Sequence, residues 1–179
     1  KMLIEIDGQP YHVLDVFFAT PTARGASTMV RTRLKNLLNG AVQEKSFRTS
    51  EKFPEPDVEI AAVSFLYTDN EGFHFMDQST YEQFMLREDS VGDDRFYLKE
   101  GLILDIFKYN GQAVSLQLPQ YVELAIASTE PGVRGDTAAG GATKVAKLET
   151  GLEVRVPLFM KEGERVRVNT QTAEVAGRA

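Results

Sequence analysis

Residues 11–38 read YHVLDVFFATPTARGASTMVRTRLKNLL: an apolar strand-like run, a stretch of small and polar residues, then a second run that alternates. The middle stretch, Ala19 to Thr28, contains Pro21, Gly25 and Arg24, the only charge between Asp15 and Arg31. Such a composition makes a poor core and a good projecting loop. Pro21 fixes its own φ and stiffens the near arm, while Gly25 permits a bend that other residues resist. Thr22 and Ala23 complete the tip. An isolated guanidinium there can reach a phosphate, or stack on a base, at a distance from the body of the protein. The plainer reading of the same loop is a solvated hairpin-tip arginine. In the second run, Arg31, Arg33 and Lys35 fall on one face of a strand, with Val30, Thr32 and Leu34 on the other. Three cations on an outer face are commonly there for solubility. Here they climb the strand that leaves the Arg24 loop, so loop and stripe form one basic arm suited to an RNA backbone.

Outward from this hairpin, Met2 to Ile6 followed by Asp7-Gly8 predicts a hairpin leading into Gln9 to Phe18, and Asn39-Gly40 turns the chain into Ala41 to Arg48. Four or more short antiparallel strands within residues 1–57 suit a small β-barrel. Thr49 to Asp57, with Pro54 and Pro56, has no periodicity and reads as a linker. In residues 58–121, Val58 to Tyr67 is a strand, and Asp69 to Gly72 turns it into Phe73 to Met76. Ser79 or Thr80, with Glu82, can cap a short helix whose apolar face is Tyr81, Phe84 and Met85. Gly101 to Tyr109 and Gln112 to Leu118 flank Asn110-Gly111, a type I′ candidate, and the whole suggests an OB-like barrel. Residues 122–179 read as another barrel of similar size, with strands over Leu152 to Phe159 and Arg165 to Val168 around a turn at Gly163.

Composition sets the class. Of 179 residues, 42% are hydrophobic and 26% charged, as in a soluble globular protein. No apolar run approaches a membrane span, and no signal segment opens the chain. A start at Lys1 rather than Met implies that some N-terminal residues are missing. With no cysteine, disulfides and thiolate metal sites are excluded, in keeping with the cytoplasm. The net charge of −6 argues against nucleic-acid binding driven by overall charge. Its distribution is uneven: eight Lys and Arg against seven Asp and Glu in 1–57, four against eleven in 58–121, and eight against eight in 122–179. An acidic unit between two balanced ones predicts three modules.

Catalytic material is thin. Glu88-Asp89 and Asp93-Asp94 are paired carboxylates in a charged loop with Gly92, and such neighbours are usually just solvated. His74 projects from the strand face opposite Phe73 and Phe75, and His12 has no partner visible in the sequence. The glycine-rich stretch Pro131 to Gly141 lacks the spacing and terminal Lys-Ser/Thr of a P-loop and reads as an inter-strand loop. No enzyme, metal or cofactor is expected.

The run Thr20-Pro21-Thr22-Ala23-Arg24-Gly25, followed by Arg31 to Gly40 and Glu44-Lys45-Ser46-Phe47, resembles bacterial elongation factor P. So do Phe73 to Asp77 and, most specifically, Lys144 to Thr170, with Thr150-Gly151, Val156-Pro157-Leu158-Phe159, Gly163-Glu164 and Val168-Asn169-Thr170 in the family's order. The resemblance implies an all-β chain of three small barrels in an L-shaped, tRNA-like arrangement: a KOW/SH3-like barrel (1–57, tip loop 19–28) and two OB-fold barrels (58–121 and 122–179). It implies a monomeric translation elongation factor that binds the 70S ribosome between the P and E sites. There it meets P-site tRNA and rRNA and stimulates peptide-bond formation at proline-rich stalls. Arg24 then occupies the tip position beside the CCA end, Pro21, Thr22, Ala23 and Gly25 shape the loop, and Arg31, Arg33 and Lys35 ride the acceptor-arm backbone.

The tip Pro-Thr-Ala-Arg-Gly-Ala is longer than the common Pro-Gly-Lys-Gly, which is similar to the elongation factor P-like subgroup. Lys35 to Leu38 and Leu158-Phe159 are closer to ordinary elongation factor P. Ala173 and Val175 stand where the family's late Gly and aromatic are found. Family members carry a modification at the tip, which makes Arg24 a candidate for one, with a transferase as partner; the longer loop favours an unmodified Arg24. The alternative is a tandem OB-fold protein that binds single-stranded nucleic acid without ribosome specificity. It would need base-stacking aromatics exposed on barrel faces and a basic groove, and the acidic middle third argues against it.

Overall fold

The computed structural model describes residues 2–19, 25, 27–132 and 142–179. Two-residue turns with both φ values positive are the hairpin connection that matches strand twist. Asp7-Gly8 (φ 51° and 73°) and Asn110-Gly111 (50° and 77°) are of this kind. The first joins β1 (Met2–Ile6) to β2 (Gln9–Ala19). With β3 (Met29–Asn36) and β4 (Val42–Arg48) these form a four-stranded antiparallel sheet in the order β1-β2-β3-β4.

The β3–β4 connection turns through Asn39-Gly40 as expected, with Gly40 at φ +73° and its N–H donating to Asn36 O at 2.9 Å. Buried Asn36 organises its start, its Oδ1 accepting from the N–H groups of Leu38 (2.8 Å) and Asn39 (3.3 Å) while its Nδ2 donates to Gln9 Oε1 (2.7 Å). Ile6, Tyr11 and Leu34 form the core under this sheet, with Ile4, Val13, Phe47 and Phe53 against it. Residues 49–57 contain no strand or helix before the next strand begins at Val58, yet they are not a free linker. Phe53 meets Phe47 edge-on at 4.6 Å, and Pro54 O accepts from Glu5 N at 2.8 Å.

The middle sheet has the order β7-β6-β5-β8-β9, from β5 (Val58–Thr68), β6 (Phe73–Asp77), β7 (Gln83–Leu86), β8 (Ile103–Tyr109) and β9 (Gln112–Gln117). The helix expected from Ser79 to Met85 does not form. Asp77 Oδ1 accepts from the N–H groups of Ser79 (2.8 Å) and Thr80 (3.0 Å), a local turn that competes with helix. Tyr81 then takes φ +59°, and the chain returns as β7. Helix appears one step later, as α1 (Glu88–Val91) and a 3₁₀ segment (Gly92–Tyr97), so the two acid pairs lie on helical turns rather than in a loop.

The last sheet runs β12-β11-β10-β13-β14, from β10 (Tyr121–Thr129), β11 (Thr143–Leu148), β12 (Glu153–Pro157), β13 (Arg165–Asn169) and β14 (Val175–Arg178). Its outer strands β12 and β14 approach each other, so the sheet curls towards closure. Val122, Leu124, Ile126, Leu148, Val156, Val166 and Val168 fill it, each almost wholly buried. Side chains of this kind contribute about 1.5–3 kcal/mol apiece by leaving water. The chain is all-β, built of barrel domains. By contacts it divides into two compact units, residues 1–61 with 106–115, and residues 62–105 with 116–179. Within the first unit the Tyr109 hydroxyl donates to Gly8 O at 3.1 Å.

Candidate nucleic-acid interface

The hairpin of β2 and β3 is longer than the core it grows from. At its base Tyr11 and Leu34 are 8% and 0% exposed; towards its end Val16, Phe17 and Phe18 reach 45%, 55% and 75%. Pairing continues out there, Phe17 opposite Arg31, Phe18 opposite Val30 and Ala19 opposite Met29, beyond a register shift between Val13 and Asp15. Backbone bonds thus hold an arm that hydrophobic burial does not.

Arg31, Arg33 and Lys35 are exposed along β3, alternating with buried Thr32, Leu34 and Asn36 as the period-two reading required. Thr32 fixes that inner face further by donating to Lys45 O at 2.9 Å. Cross-strand pairing sets each cation's surroundings. Arg33 lies opposite Asp15 on β2 and Glu44 on β4, and its Nη1 is 3.9 Å from Asp15 Oδ2. Both groups of that pair are half-exposed, so it stabilises little. Arg31 lies opposite Phe17 and Ser46, and Lys35 opposite His12 and Val42; neither forms an ion pair with the described residues. Arg48, opposite Met29, extends the same face. The arm therefore carries a net positive outer face on which Arg31 is flanked by an aromatic ring.

Of the tip, Pro21, Thr22, Ala23 and Arg24 lie outside the described residues. Gly25 is described: its φ is +86°, and a Cβ there would meet no heavy atom within 4 Å. The positive φ, not crowding, is what calls for glycine at this position. The glycine-rich stretch also lies outside the described residues, over 133–141.

Phe17 and Phe18 are what sequence reading missed. Their signal was present: Val16-Phe17-Phe18-Ala19 is apolar without alternation and abuts the polar tip, so one sheet face cannot bury all of it.

His74 serves a structural purpose. Its Nε2 donates to Asp69 Oδ2 at 2.8 Å and its ring stacks on Tyr67 at 4.4 Å. The hydrogen bond from His74, helped by the N–H groups of Glu71 and Gly72, holds the Asp69 carboxyl below its usual range. Burial pushes the Tyr97 hydroxyl up, and Asp94 and Asp93 add to the effect. Burial also raises Glu149, but the Ala125 N–H (2.9 Å) and the Lys99 ammonium (3.2 Å) outweigh it and leave the carboxyl lowered. Among the described residues no cluster of His, Asp and Glu could hold a metal ion, and no helix is long and apolar enough to cross a membrane.

Comparison with known proteins places this geometry. Residues 1–53 match the family described as elongation factor P (EF-P) KOW-like domain, 58–116 the elongation factor P (EF-P) OB domain, and 122–178 elongation factor P, C-terminal. The chain is 47% identical over 175 residues to the elongation factor P of Synechococcus sp. (strain JA-3-3Ab), covering 98% of this chain and 93% of that protein. It is 46% identical over 171 residues to that of Thermoanaerobacter sp. (strain X514), covering 96% and 91%. Among solved structures, eukaryotic translation initiation factor 5A from Methanococcus jannaschii is similar in fold, with a TM-score of 0.50 and 20% identity over 65% of this chain and 84% of that one.

Proposed function

The chain belongs to the elongation factor P family and is a translation elongation factor; on that premise we propose that it binds the ribosome between the P and E sites and speeds peptide-bond formation at proline-rich stalls. In this reading it acts in the cytoplasm as a monomer of three modules, 1–57, 58–121 and 122–179. Ribosomal RNA is the catalyst. The factor supplies position: a stiff arm that holds the P-site tRNA end lowers the entropic cost of the reactive geometry. Arg24 meets the tRNA end, Pro21, Thr22, Ala23 and Gly25 shape the loop, and Arg31, Arg33 and Lys35 follow the RNA backbone.

The observation that carries this reading is the arm itself. It is paired to Ala19 and Met29 yet leaves Val16, Phe17 and Phe18 in solvent, and it presents an outer row of cations. A strand pair that outruns its own core has no folding reason to do so. The long tip supports an Arg24 that acts without modification. The test is Arg24→Ala in a translation assay on a reporter with a run of prolines. The variant keeps its thermal unfolding profile and loses stall relief; full relief by Arg24→Ala refutes the tip assignment.

A further inference from the structure

Phe17 and Arg31 are cross-strand neighbours on the outer face of the β2–β3 arm, so their side chains emerge side by side. Phe17 is 55% exposed and makes no ring contact among the described residues, while Arg31 makes no ion pair there. Folding explains neither. Exposing a phenyl ring forfeits its transfer free energy, and Phe17 stands with Leu14, Val16 and Phe18 in a run of exposed apolar side chains, the kind of patch that marks an interaction site. The charge beside it indicates what. Adjacent bases and phosphates of unpaired RNA present a π-face and an anion in succession, and aromatic rings alternating with guanidinium groups are the chemistry that takes them. The next row out repeats the pattern more weakly, with Met29 opposite Arg48. On the other face Phe18, 75% exposed, continues the Val30–Phe47 row and has no cation beside it.

We propose that Phe17 stacks on an unpaired base of the bound RNA while Arg31 takes the adjoining phosphate. Together they form a second contact of the arm, behind the tip, that reads single-strandedness rather than sequence. This rests on the ribosomal reading above, since it supposes an RNA with an unpaired end.

The test uses the full chain and two RNA hairpins of one stem sequence, one with four unpaired 3′ nucleotides and one trimmed flush. The parent should bind the tailed hairpin the more tightly. Phe17→Leu, which keeps apolar bulk without a flat ring, should lose that preference by about tenfold, within the range for one base on one aromatic. Phe17→Tyr should restore it, and Phe18→Leu should leave it unchanged. Because the chain has no tryptophan, Phe17→Trp also gives a single tryptophan, excited selectively at the red edge away from the tyrosines, that the tailed hairpin should quench and the flush one should not. A parent that shows no preference, or a Phe17→Leu variant that keeps it, overturns the proposal. So does a concentration-dependent rise in the parent's mass that Phe17→Leu abolishes, which would assign the ring to a second copy of the chain. Loss of stall relief in Arg24→Ala with unchanged hairpin preference in Phe17→Leu would remove the stacking and leave the tip reading intact. The reverse pattern would remove the tip reading alone.

Discussion

Gly72 offers the sharpest test of how the middle sheet is built. It ends the turn from β5 into β6, where its carbonyl accepts from Asp69 N (3.0 Å) and Thr68 Oγ1 (3.1 Å) and its N–H donates to Asp69 Oδ1 (3.1 Å). A Cβ at this residue would lie 2.4 Å from Leu86 O and 3.2 Å from Leu86 C, at a φ of +155°. The obstruction is backbone at the end of β7, so no side chain can rotate away. Overpacking of this kind costs about 1–3 kcal/mol, and a φ that only glycine favours adds about 1–3 kcal/mol. The stiffer unfolded chain returns only about 0.4–1 kcal/mol. Gly72→Ala should therefore cost about 1–5.5 kcal/mol, with a midpoint of about 3 kcal/mol. Gly111 is the control: its φ is +77°, but a Cβ there meets nothing within 4 Å. Gly111→Ala should carry only the left-handed cost less the same return, about 0–1.6 kcal/mol with a midpoint of about 0.8 kcal/mol. Urea unfolding followed by far-UV circular dichroism, compared at equal slope, reads the difference. If Gly72→Ala unfolds no earlier than Gly111→Ala, the close approach to β7 is wrong.

Further outcomes are expected. Leu34→Ala, which empties a wholly buried position at the base of the arm, should destabilise by about 2–5 kcal/mol in the same assay. Ala173 holds φ +59° between β13 and β14. Ala173→Gly removes a left-handed cost of about 1–2 kcal/mol, partly offset by unfolded-state entropy, and should raise the melting temperature slightly. The Glu149 carboxyl is lowered in the fold, so its contribution is present above the unfolded value and lost as pH falls through the folded one. Glu149→Gln should therefore lower stability at neutral pH, change little below the folded value, and so flatten the acid limb of the stability profile. For RNA binding, Arg31→Ala should reduce the slope of log affinity against log salt by about one, and Arg33→Ala by less, because Asp15 already lies 3.9 Å from its guanidinium.

Much of the architecture can be read from local chemistry. Asp7-Gly8 and Asn110-Gly111 turn as their residue types require, and the β3 stripe follows from period two. The failures share a cause, which is side chains that capture backbone groups. Asp77 closes a turn where Ser79 and Glu82 would have capped a helix, and Asn36 lengthens the loop that Asn39-Gly40 turns. Neither an aspartate nor an asparagine declares from sequence which N–H groups it will take. The candidate site divides in the same way. Arg31, Arg33 and Lys35 were visible from spacing, whereas the exposure of Phe17 and Phe18 depends on where the core stops beneath the strand. Sequence pattern records which residues are apolar, not how many of them the core can cover.

One feature of the first compact unit bears on how the protein is made. That unit takes residues 1–61 and then 106–115, the turn of β8 into β9, whose Tyr109 hydroxyl reaches back to Gly8. A nascent chain therefore presents β1 to β4 long before the piece that completes their unit has left the exit tunnel. During synthesis the Tyr109–Gly8 hydrogen bond is therefore among the last contacts of that unit to form.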